Sequence, residues 1–406
     1  MTINRFSPLL SRIESTWTDV WALGERATEL MTQGRDVIHL GVGDPDMDVD
    51  PVIQAAAAAA MANGRTHYAP VDGEPALRAA IAAHATGLYG VAVEPAEIAV
   101  CAGAQGALYA LFQVIAGAGD EVIVLSPYYT TYPAVVAASG ATMVEVPLSV
   151  DGGYQLDLAA IAAALTPRTR AILINSPSNP SGRVIPAHEI DAIVDLARAH
   201  DVWLVSDEVY WSLCYDANHA SAYSRRMPHD RIAVVNSLSK SHAMTGFRIG
   251  WIIGPPVLVA AVGLLGQAMH FSINQVAQDA AVTALANPAI ADDIRQRFCE
   301  QRDALVAGLG QIAALRFSRP QGGMFLLVDV SATGLDGKRF ATALLEAEGV
   351  ATVPGYGFGD AATHMIRIGF LSSPPRLAQA AERIARFTNA LMANRADMTT
   401  AARAAR

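Results

Sequence analysis

Residues 232–253 read IAVVNSLSKSHAMTGFRIGWII: an apolar run, a loop of small and polar residues, then a second apolar run. Both runs, Ile232–Asn236 and Ile249–Ile253, have strand length and β-branched content. The loop carries Ser237, Ser239, Lys240 and Arg248. Two hydroxyls and a guanidinium close to one lysine can hold a phosphate while the amine meets an aldehyde. A solvated turn of small residues is the bland reading of the same letters.

Further runs of strand length lie on either side: Ile98–Cys101, Glu121–Leu125, Thr142–Val146, Ala171–Asn175 and Val202–Ser206. They alternate with alanine-rich helical patterns at Ala107–Ile115, Pro133–Ser139, His188–His200 and Asp279–Leu285. Strand–helix alternation predicts an α/β fold with a mainly parallel seven-stranded sheet sandwiched by helices. In such sheets ligands bind beyond the carboxyl ends of the strands. From about Asn287 the pattern changes to a long helix, Ala289–Leu309, then strands at Met324–Val330 and His364–Phe370. The expected division is a large domain over 49–288 and a smaller α+β domain from 1–48 and 289–392. The tail 393–406 reads as frayed helix or disorder. The alanine run Ala55–Ala60 reads as plain helix.

The chain has 406 residues, is 52% hydrophobic and carries a net charge of -9. Its acidity gives no general attraction to nucleic acid or to an anionic membrane. Its apolar stretch Trp251–Met269 is interrupted by glycine and proline, short of a membrane span. Three separated cysteines, Cys101, Cys214 and Cys299, suggest neither a disulfide framework nor a metal site. With no signal-peptide core at the N-terminus, a cytoplasmic enzyme is expected. Among 29 basic residues only Lys240 and Lys338 are lysine. Codon bias explains the arginines, and under that bias a lysine survives where arginine cannot substitute. Arginine cannot form a Schiff base. Lys338, in GLDGKRF, reads as a surface charge, which leaves Lys240 to be explained chemically.

Other segments offer chemistry. In VWLVSDEVY, Asp207 and Tyr210 follow a buried strand. A buried carboxylate keeps a pyridine nitrogen protonated, and a tyrosine three residues on can bond a ring oxygen. A capping aspartate beside a packing tyrosine fits equally. NSPSNPSG places Asn179 in a turn. CAGAQGALYALF is a strand end, a glycine turn at Gly103 and a helix start whose Ala104 and Gln105 N–H groups face an anion. It is neither GxGxxG nor a P-loop, which disfavours nicotinamide and nucleotide triphosphate chemistry. Tyr129, in SPYYTTYP, can stack on a flat ring. Arg367 lies mid-strand in HMIRIGF, where its partner is a substrate carboxylate or a structural ion pair.

Taken in order, LGVGDPD, THYAP, AGAQGALY, SPYYTTYP, NSPSNPSG, SDEVY, SKSHAMTGFRIG and IRIGF resemble the class I/II aminotransferases, pyridoxal 5′-phosphate enzymes of fold type I. The resemblance runs from about Val37 to Phe370. It implies that Lys240 joins the cofactor covalently and shuttles the proton. It implies that Asp207 pairs with the ring nitrogen, that Tyr210 and Asn179 bond the ring's phenolic oxygen, and that Tyr129 stacks, where many relatives carry tryptophan. Gly103, Ala104, Gln105, Ser237, Ser239 and Arg248 match phosphate positions. Tyr68 resembles a tyrosine that reaches the neighbouring subunit's site, which implies a homodimer. Arg367 matches the grip on the substrate α-carboxylate, with Gly43 and Asn179 beside it. The implied reaction is a ping-pong transfer of an amino group from an L-amino acid to a 2-oxo acid. NSLSKSHAMTG, THYAPVDGEPALR and GGMFLLVDVSATGL resemble bacterial members that pair arginine with pyruvate. Asp44, Asp46 and Asp48 could offer charge to a guanidinium or be loop and cap residues. A lyase, decarboxylase or oxidative deaminase on the same cofactor is the alternative reaction. A regulatory binding module is the alternative of another class, and it needs a DNA-binding segment for which the short N-terminal stretch leaves no room.

Overall fold

A computed structural model describes residues 6–16, 19–149 and 152–404. The central sheet has seven strands: β1 (Ile98–Ala102), β2 (Glu121–Ser126), β3 (Thr142–Pro147), β4 (Thr169–Asn175), β5 (Trp203–Asp207), β6 (Ile232–Ser237) and β7 (Ile249–Ile253). Their spatial order is β1-β7-β6-β5-β4-β2-β3. Only β7 runs against its neighbours, pairing antiparallel with both β1 and β6. The remaining pairs are parallel. The reversal follows from the short loop Leu238–Arg248, which returns the chain directly into the adjacent strand, whereas a parallel crossover needs a longer excursion.

Alternate residues of each strand face opposite layers, as the pleat requires. Ile123, Ile172, Leu204, Val234 and Trp251 pack under helices Pro75–Tyr89, Ala187–Ala199 and Gln275–Leu285. Val122, Leu173, Val205, Val235 and Ile252 pack under Gly103–Ile115, Tyr132–Ser139 and Pro256–Met269. Both faces are therefore apolar, and each fully buried Ile, Leu or Val contributes about 1.5–3 kcal/mol. The apolar stretch 251–269 resolves into β7 and a helix begun by Pro256. No helix among the described residues is long and apolar enough to cross a membrane.

A second layer follows the long helix Ala289–Leu309. Strands β8 (Phe325–Asp329), β9 (Val353–Pro354) and β10 (Met365–Gly369) form an antiparallel sheet in the order β9-β10-β8. They share a core with helices Gly337–Glu348 and Pro374–Ala404. Ile38–His39 pairs with Val350–Ala351, tying the N-terminal segment to this layer. The helix Pro8–Glu14 departs from the expected grouping. It lies against the helix Tyr132–Ser139 of the large layer, where Arg12 Nε donates to the Ala137 carbonyl at 3.1 Å. The backbone of the last helix continues through the tail segment to Ala404, and residues 405 and 406 lie outside the described residues.

Candidate active site

Parallel strands end on one edge, and that edge carries the polar groups. β4 ends at Asn175, β5 at Asp207 and β6 at Ser237. β1 ends beside Gly103, and the antiparallel β7 begins one residue after Arg248. Above the edge lies a cleft of about 370 Å³ whose lining includes Gly43, Ala104, Gln105, Tyr129, Asn179, Asp207, Tyr210, Ser237, Ser239, Lys240, Arg248 and Arg367. Gly103 is not in the lining but lies against the Arg248 guanidinium, and Tyr68 stands apart. Tyr68 is 78% exposed and rests on Phe271, ring centroids 4.9 Å apart.

At one end, the helix Gly103–Ile115 points its N-terminus into the cleft. The first-turn N–H groups have no partner within their own helix. Gly103 adopts φ +73, and a side chain there would run into the Arg248 guanidinium. Arg248 is itself left-handed at φ 56, and its Nη1 donates to the Thr245 carbonyl at 2.8 Å. Below them Gly250 leaves room for backbone only: a Cβ would sit 2.6 Å from the Ala104 nitrogen. Helix N-terminus, guanidinium, Ser237 and Ser239 converge as an anion cradle.

In the middle, Asp207 is buried at 4% exposure. Tyr132 donates from its hydroxyl to Asp207 Oδ2 at 2.7 Å, and the Val209 N–H donates to Oδ1 at 3.2 Å. Asn175 Nδ2 donates to the Asp207 carbonyl at 2.9 Å. Burial pushes the Asp207 carboxyl up to about 6, and the Tyr132 hydrogen bond opposes that rise. This carboxylate caps no helix. Tyr129 lies edge-on to Tyr132, centroids 5.7 Å apart. Asn179 Nδ2 and Tyr210 Oη meet at 3.5 Å, both lining the cleft.

Lys240 Nζ donates to the Gly43 carbonyl at 2.5 Å. Burial lowers its amine to about 8; Asp44 pulls the other way, while Arg248 and Arg367 add to the depression. Lys338, by contrast, is 57% exposed and pairs with Asp19 at 2.8 Å, a surface charge as its sequence setting suggests.

At the far end, Arg367 is 1% exposed in the middle of β10. Its Nη1 donates to Asn179 Oδ1 at 3.1 Å and Nη2 to the Gly41 carbonyl at 2.8 Å, while Nε is buried without a partner. Among the described residues no carboxylate lies within ion-pair distance of it, so the structural ion-pair reading finds no partner. Burial lowers this guanidinium to about 10. Asp44 is exposed at the cleft rim. Asp46 turns away to Arg297 at 2.8 Å and Gln301 at 3.0 Å, and Asp48 borders a neighbouring depression.

Sequence reasoning missed Tyr132, Asn175, Trp21 and Phe325, which also belong to this cleft. Tyr132 sits in the quoted SPYYTTYP segment, but which of its tyrosines faces the carboxylate is set by the helix that starts there. Trp21 reaches Arg367 only through folding of the N-terminal segment.

A cradle for a phosphate, a flat slot, a buried carboxylate, a depressed amine and an unpaired buried guanidinium fit pyridoxal 5′-phosphate and a carboxylate-bearing substrate. The orphaned Arg367 Nε and the glycine-only floor of the cradle are the observations that carry the fit. When bound, that cofactor supplies an aldehyde for the amine and a protonated ring that withdraws electrons. Fold and cleft thus define a pyridoxal-phosphate enzyme of fold type I. Residues 35–384 match the family model for class I and II aminotransferases. The chain is 43% identical to an arginine–pyruvate transaminase of Pseudomonas aeruginosa over 94% of this chain and 97% of that one. It is 40% identical to an aspartate/prephenate aminotransferase of Thermus thermophilus, covering 90% and 94%. The solved aspartate aminotransferase of Thermus thermophilus with maleate superposes with a TM-score of 0.89 at 37% identity, covering 95% of this chain and 100% of that one. The chain belongs to the class I and II aminotransferases and transfers amino groups to a 2-oxo acid with pyridoxal 5′-phosphate.

Proposed function

We propose that the donor is L-arginine and the acceptor pyruvate, and that the reaction runs through Lys240. The observation that carries the substrate half is Arg367: a buried guanidinium with a free N–H and no carboxylate of its own opens onto the same cleft as the lysine. A substrate α-carboxylate supplies the missing charge for donor and acceptor alike. Asp207 holds the ring nitrogen protonated. Tyr210 and Asn179 bond the phenolic oxygen, and Tyr129 covers the ring. Gly103, Ala104, Gln105, Ser237, Ser239 and Arg248 hold the phosphate. Lys240 Nζ, set in the cleft beside Gly43, would take and return the proton of the donor's α-carbon with the cofactor in place. Its amine, lowered to about 8, supplies a sizeable neutral fraction near neutral pH.

Side-chain preference is argued from charge. The cations lining the cleft are Lys240, Arg248 and Arg367, each already given a role. A second carboxylate, as in aspartate, finds no further cation among the described residues that line the cleft. A guanidinium finds Asp44 at the rim. The relative named for arginine and pyruvate supports the same choice.

The proposal includes a cytoplasmic homodimer with shared sites. The exposed Tyr68 supports the shared site, and the free cysteines support the compartment. It also includes a large domain over 49–288 and a small one from 1–48 and 289–392, with the helix Pro8–Glu14 of the N-terminal segment resting on the large one.

Two assays test the reading. Lys240→Ala is expected to abolish both turnover and the absorption band of the lysine-bound cofactor; undiminished turnover would overturn the role of Lys240. A panel of L-amino acids against pyruvate and 2-oxoglutarate is expected to show arginine with pyruvate as the preferred pair. An inactive arginine, or aspartate as the best donor, would overturn the donor assignment. Ammonia, pyruvate or carbon dioxide formed without an acceptor would favour the lyase, deaminase or decarboxylase chemistry instead.

A further inference from the structure

Arg367 is enclosed by three aromatic rings. Its guanidinium carbon lies 4.0 Å from the Phe325 centroid, 5.1 Å from Phe358 and 5.6 Å from Trp21. Phe325 and Phe358 are core residues with at most 1% exposure. Trp21 differs in origin and exposure: it comes from the N-terminal segment and is half-buried, and it shares the cleft lining with Phe325.

The segment that carries Trp21 is held from two sides. Val20, 1% exposed, seats against Gly357, where any side chain would collide with it. Asp19 pairs with Lys338 at 2.8 Å and accepts from the Tyr356 hydroxyl, and the Lys338 amine lies 5.3 Å from the Tyr356 ring centroid. Lys338, Tyr356, Gly357 and Phe358 thus form a receptor for Asp19-Val20-Trp21. The ion pair is solvent-exposed and contributes little stability by itself. Its geometric consequence is the position of the indole.

We propose that Trp21 is a positioning residue for the substrate carboxylate: its indole closes the aromatic cage on the cleft side of Arg367 and excludes water from the ion pair formed there. A guanidinium facing an aromatic ring is attracted by the ring's quadrupole, and the attraction grows when water is absent. Excluding water also strengthens the charge–charge contact with a bound carboxylate. Both substrates present their carboxylate to the same arginine, so the indole acts on both half-reactions. The inference rests on the reading of Arg367 as the carboxylate anchor.

The test compares Trp21→Ala, Trp21→Phe and Arg367→Gln in the cofactor-loaded protein. Kinetics are measured for both substrates, with the Kd of 3-phenylpropionate, an unreactive monocarboxylate, as an equilibrium readout. Trp21→Ala is expected to raise both KM values and the inhibitor Kd together by about tenfold, because water entering beside Arg367 weakens its charge–charge contact with the carboxylate, with kcat within about twofold. Trp21→Phe is expected to recover most of the loss, and Tm to stay unchanged in both. Unchanged KM values in Trp21→Ala, a rise for the amino donor alone, or no rescue by phenylalanine would each overturn the role of Trp21. If Arg367→Gln raises both KM values while Trp21→Ala does not, the cage fails and the anchor stands. If neither variant moves them, both fall.

Discussion

Removing the Tyr132 hydroxyl isolates one contact on the group that governs the cofactor's ring. In Tyr132→Phe, Asp207 Oδ2 loses a donor at 2.7 Å inside the core, and nothing else in the cleft changes size. A hydrogen bond to a charged group contributes about 1.5–3 kcal/mol, and one pKa unit equals about 1.36 kcal/mol. The Asp207 carboxyl, now at about 6, should therefore rise by about 1–2 units. The sign for stability follows from proton counting. Between its ordinary value near 3.8 and its folded value near 6, Asp207 keeps a proton that the unfolded chain has lost. The cofactor-free protein thus loses stability from this group as pH rises through that window, and the loss then levels off. In the variant the loss continues for a further 1–2 units, so its deficit is about 1.5–3 kcal/mol larger at pH 8 than at pH 5. If the ionised Asp207 pairs with the protonated ring as proposed, the pH midpoint of cofactor affinity should move upward by the same 1–2 units. Urea unfolding at the two pH values and spectroscopic titration of cofactor-free protein between pH 5 and 9 measure both effects. Equal deficits at both pH values, or a midpoint displaced by less than about 0.3 units, would refute the claim that Tyr132 keeps Asp207 ionised.

Other expectations follow from the same geometry. Gly103→Ala must adopt φ +73 and displace Arg248, so cofactor affinity should fall about tenfold or more while global stability falls by only about 1–2 kcal/mol; calorimetric titration and urea unfolding separate the two. In cofactor-free protein, capture of pyridoxal 5′-phosphate by Lys240 should accelerate with pH, pass half its maximum near pH 8 and level off about one unit above; acceleration continuing towards 10.5 would mean that burial does not depress the amine. If Tyr68 completes the neighbouring site, mixing Lys240→Ala with Tyr68→Ala subunits should restore up to about a quarter of wild-type activity, because about half the dimers are hybrid and each hybrid has one intact site. Activity no greater than that of Tyr68→Ala alone would argue against shared sites.

The large sheet was legible because each of its strands is an apolar run bounded by turn residues, and both faces are covered. The reversal of β7 was not legible, since direction depends on a loop whose letters do not show where the chain turns back. Lys240 and Asp207 could be placed because each closes or follows a buried strand, so topology fixed their edge. Arg367 could be placed in a strand, but its freedom from an ion pair could not, because that depends on which carboxylates fold near it. Asp44 and Asp46 are two residues apart and alike in sequence, yet one faces the cleft and the other turns to Arg297. Tyr132 and Trp21 were missed for one reason: their partners are 75 and 346 residues distant, and no local pattern encodes such a pairing.

Burial moves three of the ionisable groups of this cleft toward their neutral forms: Asp207 upward, Lys240 and Arg367 downward. Each shift records a charge that the fold holds at some cost to itself. In the proposed roles, a protonated ring nitrogen would offset the cost at Asp207, and a substrate carboxylate would offset it at Arg367. A phosphate would supply the counter-charge for Arg248 and the helix N-terminus. Relief requires all three ligand charges at spacings set by rigid strand ends, so a molecule that offers only one recovers a fraction of the available free energy. Selectivity for a phosphorylated pyridine cofactor together with a carboxylate substrate thus follows from the fixed spacing of these groups. The cofactor-loaded protein should accordingly be more stable than the free one by the binding free energy that this relief supplies.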